Sequence, residues 1–483
     1  MTTWEQSATN RMRRPDFEQW MKQAAGTGYC ANPVKLVGSS QVVDARSGEM
    51  ITSYDSSAEP DGVTYVRCGN RRAVRCPSCS REYKGDMWHL VVAGTVGGSK
   101  DIPGSVATHP LVFVTVTAPT FGAVHAVKKP GRGTVRCRPR SNQKVCPHGR
   151  PTWCMAVHSP GDRLTGEPLC RDCYDYVGQI AWQWHAPELW RRFTIALRRQ
   201  LAQSLGLSEV NTRKLVRVQF AKVAEFQKRG VVHFHALIRL DGDPSTESEY
   251  PAPRIDLTGQ ALADLAILSA SAVSLHVDPI FTGDVFRTLK FGAQCDARVV
   301  VRGGDDSEGE LSDRAVAAYI AKYATKATED VDPGAALAGQ RPHIAQLKQT
   351  IDDLASMIKL SPDGDDTYAL LAKWVGMLGF RGHFATKPRR YSTTLGKLRQ
   401  ARRTWQRRFS LKRTGHSLDE NETRADDLEG ESTLIIGQWS FVGMGWLTQG
   451  DAALAAAAAD AAREWDEERR QHTYPTTHKR NEK

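Results

Sequence analysis

The chain has 483 residues, of which 40% are hydrophobic and 25% are charged, a composition typical of soluble globular proteins. We find no apolar run long enough to cross a bilayer and no apolar N-terminal stretch typical of a secretory signal, so we expect a cytoplasmic protein without membrane segments. Its 65 Lys and Arg residues against 54 Asp and Glu residues give a net charge of +11, which favours a polyanionic partner.

The length predicts two to four globular units, and changes in composition along the chain suggest three. We expect an α+β protein with an N-terminal zinc-ribbon domain over residues 1–105, a central domain over 106–330 and a basic, helical C-terminal region over 331–483. A Gly-rich connector at 96–104 marks the first boundary. A cysteine-rich insertion at about 122–175 interrupts the central domain.

The first cysteine cluster predicts a structural zinc site. Ten cysteines in a chain without an export signal favour thiolate metal ligands over disulfide bonds. Cys76 and Cys79 form a C-x-x-C pair, Cys68 lies shortly upstream, and Cys30 is the only earlier cysteine. We predict that these four thiolates bind Zn²⁺ tetrahedrally.

A second C-x-x-C pair, Cys170 and Cys173, follows a segment that holds more candidate ligands than one zinc ion needs. We choose Cys146 and Cys154 to complete this second structural zinc site. The alternatives for these positions are His148, His158 and Cys137. Cys295 stands alone in the sequence and is expected to be an ordinary reduced thiol.

The elements of the central domain follow from its hydrophobic pattern. The β-branched segment 109–119 predicts a strand that ends where the insertion begins. Apolar positions at helical spacing predict a long helix over 181–205 and a further helix near 312–328. Between them, 215–226 and 231–240 are predicted strands.

The second of these strands carries two histidines that predict a metal site. His233 and His235 project from one face because side chains alternate along a strand, and the opposite face is wholly apolar. If 228–230 form a three-residue hairpin loop with Gly230 in the left-handed conformation, Glu225 falls directly opposite His233. Two imidazoles and a carboxylate with open positions suit Mg²⁺ or Mn²⁺ acting on a phosphodiester.

The predicted helix near 312–328 carries two tyrosines, Tyr319 and Tyr323, on one face. A tyrosine can attack phosphorus and hold the broken strand as a covalent ester when a metal polarises the phosphate and nearby charge is neutralised. Lys322 and Lys326 are placed for that neutralisation and for DNA contact. The alternative is that the tyrosines belong to an ordinary apolar core stripe.

The segment from Arg381 to Arg413 contains twelve Lys or Arg residues and no acid, interleaved with aromatic side chains. The alternative, a solvated helix face, usually mixes both signs of charge. We therefore predict a phosphate-contacting surface that supplies affinity for nucleic acid without specificity for its nucleotide sequence. The basic residues that we assign to it are Lys387, Arg389, Arg390, Arg402, Arg403, Arg407 and Arg408.

Three short motifs occur in an order that resembles a known enzyme family. FVTVT at 113–117, HFH at 233–235 and YIAKY at 319–323 resemble the ordered motifs of the HUH endonucleases that initiate rolling-circle replication, in particular the two-tyrosine branch. Over roughly residues 25–410 the wider sequence, including GFRGHFATKPRRYSTT, is similar to the replication initiators of actinobacterial plasmids and integrative conjugative elements. The large cysteine-rich insertion departs from the minimal family core.

The resemblance implies an HUH nickase domain whose central antiparallel sheet is flanked by helices. It implies that His233, His235 and a third polar residue, for which we take Glu225, hold the divalent metal. Tyr319 or Tyr323 would nick single-stranded DNA at an origin and leave a 5′-phosphotyrosine and a free 3′-hydroxyl. The hydroxyl would prime a host polymerase, the second tyrosine would permit termination by strand transfer, and a host helicase is a further expected partner.

Other functions remain as alternatives. A relaxase or an HUH transposase would use the same metal and tyrosines, although a dedicated transposase is more often compact and lacks zinc modules. In a non-enzymatic, zinc-containing DNA-binding regulator the HFH strand and the tyrosine helix would be core elements, and tyrosine-to-phenylalanine changes would leave every activity intact. A nucleotide hydrolase is disfavoured because no third histidine follows on the same strand face.

Overall fold

The computed structural model describes residues 3–44, 47–128, 136–244, 248–301, 311–324, 340–360, 366–413 and 433–473. The chain is a mixed α+β protein with antiparallel sheets, as predicted. The helices are α1 (Thr3–Met12), α2 (Phe17–Gly26), α3 (Pro77–Thr95), α4 (Tyr176–Ser204), α5 (Glu209–Leu215), α6 (Gly259–Ala272), α7 (Asp313–Ala324), α8 (Pro342–Leu360), α9 (Leu395–Arg413) and α10 (Gln449–Thr473). Among the described residues, none of these helices has both the length and the apolar character that a membrane span needs.

The strands are β1 (Val34–Asp44), β2 (Met50–Asp55), β3 (Thr64–Val66), β4 (Leu111–Val116), β5 (Arg217–Phe226), β6 (Val232–Asp241), β7 (Leu275–Val277), β8 (Arg287–Leu289), β9 (Cys295–Val301), β10 (Leu311–Ser312), β11 (Ala385–Thr386) and β12 (Thr433–Met444). The strands predicted at 109–119, 215–226 and 231–240 correspond to β4, β5 and β6, each within a few residues at its ends.

The chain divides into two compact units, one formed by Met1–Asp86 with Gly396–Lys483 and the other by Met87–Leu395. This division differs from the three consecutive segments expected from composition, whose boundaries fall at 105/106 and 330/331. The physical reason is a long-range strand pairing: β12 runs antiparallel to β1 along its whole length. Both ends of the chain therefore belong to one unit, and composition alone contains no signal for that pairing.

The first unit is built on the sheet β12-β1-β2, with β3 paired to the other end of β1. Trp20, Tyr65 and Trp446 pack in its core. Arg11 of α1 forms a buried ion pair with Asp451 of α10, with Nε 2.7 Å from the carboxylate. Asp451 is fully buried, so the first turn of α10 packs into this unit.

In the second unit, the described residues form a larger sheet with the strand order β10-β9-β4-β6-β5-β11. The β9–β10 pair is parallel and the other pairs are antiparallel. One face of this sheet is apolar, with Val114 and Phe234 among its buried side chains, and it shares a core with Trp182, Leu189 and Phe193 of α4. Asp175 caps α4 by accepting a hydrogen bond from the backbone N–H of Gly178. The alternation of apolar and polar residues along β6 leaves the polar side chains on the opposite face.

That opposite face contains a fully buried charge network at the far end of β6. Arg239 donates two hydrogen bonds of 2.7 Å to Asp241 and a third to the carbonyl of Gly94. The guanidinium lies 5.2 Å from the ring centre of Tyr391, and His109 Nδ1 lies 2.8 Å from Asp241. These contacts attach the segment that contains Tyr391 to the sheet.

The cysteine-rich insertion lies between β4 and α4, as predicted, and residues 129–135 within it fall outside the described residues. Its described part contains isolated backbone bridges instead of long strands, such as Val124 with Pro168 and Arg138 with Cys154. Arg341 anchors it: the guanidinium lies 3.2 Å from Glu167 and donates to the carbonyl of Lys228 at 2.8 Å. The insertion is thereby attached to the loop between β5 and β6.

Candidate metal and tyrosine site

The β5–β6 hairpin has the geometry that the sequence predicts. Gly230 has a φ of +73°, in the left-handed region, and its N–H donates to the carbonyl of Gln227 at 2.8 Å, so that 228–230 form the loop. Glu225 pairs directly with His233. A residue with a Cβ would be strained at this position, which explains the glycine.

Three side chains of this hairpin converge on one point. Glu225 Oε2 lies 2.9 Å from His233 Nε2 and 3.2 Å from His235 Nε2, and the two Nε2 atoms are 3.1 Å apart. Ligands about 2.1 Å from an octahedrally coordinated ion are separated by about 3.0 Å along an edge. The triangle therefore fits one face of such a coordination sphere and leaves the other positions open.

The site is open on one side. The side chains of His233 and Glu225 are 15% and 12% exposed, whereas that of His235 is only 4% exposed. A half-buried carboxylate beside two imidazoles is a donor set that suits a divalent cation. The exposed edge at His233 leaves this point accessible from solvent.

Two residues of β4 orient His235. Thr115 pairs with His235 across the sheet, and its Oγ1 lies 2.9 Å from Nδ1. When Nε2 binds a metal, Nδ1 carries the proton and donates it to Thr115. The ring of Phe113 stacks on the imidazole with an interplanar angle of 6° and a centroid distance of 5.6 Å. Sequence reasoning assigned no role to Thr115 or Phe113 individually, although their alternation in FVTVT places both on one strand face.

Tyr319 reaches the same point from α7. Its hydroxyl oxygen lies 3.1 Å from His235 Nε2, and its ring meets Phe113 edge-on at 5.7 Å. Val316 and Ile320 on the same helix are buried and fix its position. The helix of Tyr319 therefore packs as a core element, while the Tyr319 hydroxyl faces the point where Glu225, His233 and His235 converge.

Lys322 and Tyr323 follow Tyr319 on α7. Lys322 is exposed one turn after Tyr319. Tyr323 belongs to α7, but its side chain lies outside the described part of the chain, and Lys326 lies wholly outside it.

The N-terminal cysteine cluster has the geometry of a tetrahedral thiolate site. Sγ–Sγ distances are 3.6 Å for Cys30–Cys76, 3.7 Å for Cys30–Cys79 and 3.8 Å for Cys68–Cys79. Four sulfurs bound to zinc at about 2.3 Å are separated by about 3.8 Å, whereas a disulfide bond is about 2.05 Å long. The backbone N–H of Ala31 also donates to Cys76 Sγ at 3.4 Å, which favours a thiolate.

The second cluster differs from the predicted set in one ligand. The structure brings together Cys146, His148, Cys170 and Cys173, with His148 Nδ1 3.2 Å from Cys173 Sγ and 3.7 Å from Cys170 Sγ. A tight turn, in which the Gly149 N–H donates to the Cys146 carbonyl at 2.9 Å, presents Cys146 and His148 together.

Cys154 does not join this cluster, which corrects the prediction. Its backbone forms two hydrogen bonds with Arg138, of 2.8 and 3.0 Å, and this bridge aligns Cys154 with Cys137. The group that results consists of His125, Cys137, Cys154 and His158. The described residues therefore hold three Cys- or Cys/His-rich groups where two zinc sites were expected.

Two of the predicted DNA-binding residues, Arg389 and Arg390, are exposed and line a cleft of about 530 Å³. Three further arginines line the same cleft: Arg198, Arg213 and Arg217. Sequence reasoning missed these three because they lie almost two hundred residues earlier, on α4, α5 and β5. Arg213 and Arg217 are paired with Glu209 and Asp243, so the positive charge that suits a phosphate backbone comes mainly from Arg198, Arg389 and Arg390.

Other residues of the predicted surface are placed differently. Lys387 donates to the carbonyls of Ser392 and Pro388, at 2.9 and 3.3 Å, and burial lowers the pKa of its amine to about 8. Arg402 pairs with Glu82 at 2.7 Å and with Asp86, so its charge is already compensated. Arg403 is exposed, while Arg407 and Arg408 lie on α9 with side chains outside the described part.

Comparison with known proteins identifies a matching family and a similar protein. The family described as "RepSA: Replication initiator protein, pSAM2" matches residues 16–460. A replication initiator protein of Streptomyces ambofaciens is 39% identical over 449 residues, which cover 92% of this chain and 90% of the relative. No solved structure matches the chain. The chain belongs to the replication initiator protein family.

Proposed function

We propose that this replication initiator nicks single-stranded DNA at an origin, with Tyr319 as nucleophile beside a divalent metal held by Glu225, His233 and His235. The observation that carries the proposal is the 3.1 Å distance between the Tyr319 hydroxyl and His235 Nε2. It brings a nucleophile to the point where the three donor atoms meet. A scissile phosphate at that point can contact both the nucleophile and the metal position.

The donor set fits Mg²⁺ or Mn²⁺ better than structural zinc, because a carboxylate and two imidazoles leave open positions for oxygen ligands. A bound ion would supply Lewis-acid polarisation of the phosphate and offset its charge. The protein residues have separate tasks. Thr115 fixes the proton of His235 on Nδ1, and the ring of Phe113 packs against both His235 and Tyr319.

In the proposed step, the Tyr319 hydroxyl oxygen attacks the scissile phosphorus and loses its proton to solvent. The bond between phosphorus and the 3′-oxygen breaks, and that oxygen takes up a proton. The products are a 5′-phosphotyrosine ester and a free 3′-hydroxyl, which can prime a host polymerase in rolling-circle replication after a host helicase separates the strands. Tyr323 is the proposed second nucleophile for strand transfer, and exposed Lys322 neutralises phosphate charge.

Structural zinc ions are proposed for two of the cysteine groups, Cys30 with Cys68, Cys76 and Cys79, and Cys146 with His148, Cys170 and Cys173. The arginine cleft that contains Arg389 and Arg390 is the proposed contact for the DNA backbone. None of these groups contacts the reacting phosphate in the proposed step, so each contributes to stability or affinity and not to the chemistry.

The test uses labelled single-stranded oligonucleotides that tile the origin region, with Mg²⁺, Mn²⁺ or a chelator, and a denaturing gel that detects covalent protein–DNA adducts. We expect a metal-dependent adduct in the wild type and its loss in Tyr319→Phe and Glu225→Gln. Tyr250→Phe is the matched control, since Tyr250 is buried in a separate small cluster. Tight binding without an adduct on any strand would instead support a zinc-containing regulator.

A further inference from the structure

We propose that His125, Cys137, Cys154 and His158 bind a third structural zinc ion. The two histidine nitrogens face each other, with His125 Nδ1 3.1 Å from His158 Nε2. Cys154 Sγ lies 3.5 Å from His158 Nε2, and Cys137 Sγ lies 4.0 Å from His125 Nδ1. All four donor atoms fall within 4.8 Å of one another.

These distances fit tetrahedral zinc. With Zn–N of about 2.05 Å and Zn–S of about 2.3 Å, neighbouring nitrogens are about 3.3 Å apart and a nitrogen and a sulfur about 3.6 Å apart. Two thiolates and two imidazoles form a closed set that leaves no position for a substrate. The proposed ion is therefore structural and separate from the metal at Glu225.

The surroundings of the four residues are those of metal ligands. Asp162 Oδ2 lies 2.5 Å from His158 Nδ1, so the carboxylate can accept the proton of the nitrogen that does not face the cluster. The Ala126 N–H donates to Cys137 Sγ at 3.3 Å, which favours the thiolate. Cys137 and His158 are also buried, which suits a closed structural site.

The position in the fold explains why an ion is needed there. His125 N–H donates to the Glu167 carbonyl and Cys137 N–H to the Ala156 carbonyl, both at 2.8 Å, but these segments pair only through isolated bridges. A region with so little regular structure gains stability from a cross-link. Val124 and Arg138 of the same region line a cleft of about 650 Å³ together with Arg229 of the hairpin loop. The zinc ion holds this wall of the cleft in place.

The first test is the zinc content of the full-length protein, by elemental mass spectrometry against a protein concentration from amino-acid analysis. We expect three zinc ions per chain in the wild type and two in Cys154→Ser. Cys295→Ser is the matched control, since Cys295 belongs to none of the groups, and it should keep three. An unchanged zinc content in Cys154→Ser, relative to the wild type, would overturn the proposal.

A second test needs no variant and therefore does not depend on how a variant folds. The zinc-loaded wild type is treated with a thiol-alkylating reagent and analysed by peptide mass spectrometry, with and without a chelator. Cys137 and Cys154 should be protected until zinc is removed and should then react together. Alkylation of both in the zinc-loaded protein, at the rate of a denatured control, would contradict the proposal. Neither readout requires nicking activity, so failure here leaves the proposed function untouched.

Discussion

The hydroxyl oxygen of Tyr319 lies 3.1 Å from Nε2 of His235, the same nitrogen that faces Glu225 and His233. The two residues are 84 positions apart and belong to a helix and to a strand of the central sheet. The sheet fixes the imidazole through Thr115, and the buried face of α7 fixes the tyrosine. Two independently packed elements thus define the distance between the proposed nucleophile and the proposed metal ligands.

Thr115→Val should weaken metal binding without removing a ligand. The change deletes the hydroxyl that holds His235 Nδ1 and keeps the shape of the side chain. Loss of such a supporting hydrogen bond typically lowers metal affinity by about 10- to 100-fold. The measurement is the nicking rate as a function of Mn²⁺ concentration, in which the half-maximal concentration should rise while high Mn²⁺ restores the rate.

Thr117→Val is the matched control for this prediction. Thr117 lies two residues further along, and its hydroxyl donates to the Gln294 carbonyl at 2.7 Å. Its loss should leave the Mn²⁺ requirement unchanged. An equal shift in both variants would mean that general loosening of the strand end, and not the Thr115–His235 bond, controls metal affinity.

Asp241→Asn should destabilise the second unit strongly. The change removes the carboxylate that pairs with fully buried Arg239 and contacts His109. An uncompensated buried charge costs about 3–5 kcal/mol of unfolding free energy. Urea unfolding measures the loss. Asp243→Asn is the control, because its partner Arg217 is partly exposed and such a pair contributes about 1 kcal/mol or less.

Lys222 makes the stability depend on pH in a defined direction. Its side chain is buried, with Nζ 4.5 Å from the ring centre of Phe234. Burial lowers the pKa of the amine to about 7. The unfolded chain keeps that proton up to about pH 10.4, so between about pH 7 and 10 the unfolded state binds more protons. The free energy of unfolding should therefore rise with pH across this window.

Lys222→Met should remove that dependence, because methionine fills similar space without a charge. The variant should be more stable than the wild type by a few kcal/mol near pH 6, with the difference shrinking toward pH 10. Urea unfolding of both proteins across this range measures the difference. A constant difference at all pH values would show that the amine does not titrate in the folded protein.

Arg389→Ala and Arg390→Ala should weaken DNA binding about equally for all sequences. Each arginine that neutralises a phosphate adds about one unit to the slope of log affinity against log salt concentration. Binding of a labelled oligonucleotide over a salt series measures this slope. Arg191→Ala is the control, because Arg191 is paired with Glu188 and does not line the cleft. An unchanged slope in the two cleft variants would exclude the cleft as a phosphate contact.

Local features of the site could be predicted from the sequence. The hairpin register, which places Glu225 opposite His233, follows from strand alternation and a glycine at a loop position. The thiolate group at Cys30 follows from spacing and from the scarcity of other cysteines nearby. Both predictions depend only on residue types and on their spacing in the sequence.

Long-range pairings could not be predicted in the same way. The assignment of Cys154 depends on its bridge to Arg138, and the division into units depends on β12 pairing with β1. The arginine cleft likewise brings Arg198 and Arg390 together from distant parts of the chain. Each of these three contacts depends on packing between segments that are distant in the sequence. No periodic pattern of residues along the chain predicts such packing.

The most direct measurement of the central claim is the identity of the tyrosine in the covalent adduct. Lys322 lies between Tyr319 and Tyr323, so trypsin separates them into the peptides 315–322 and 323–326. After nicking in Mn²⁺, nuclease trimming and trypsin digestion, mass spectrometry should find the nucleotide remnant on the peptide 315–322. A remnant on 323–326 alone, or on neither peptide while a covalent adduct persists, would contradict the assignment of Tyr319 as the nucleophile.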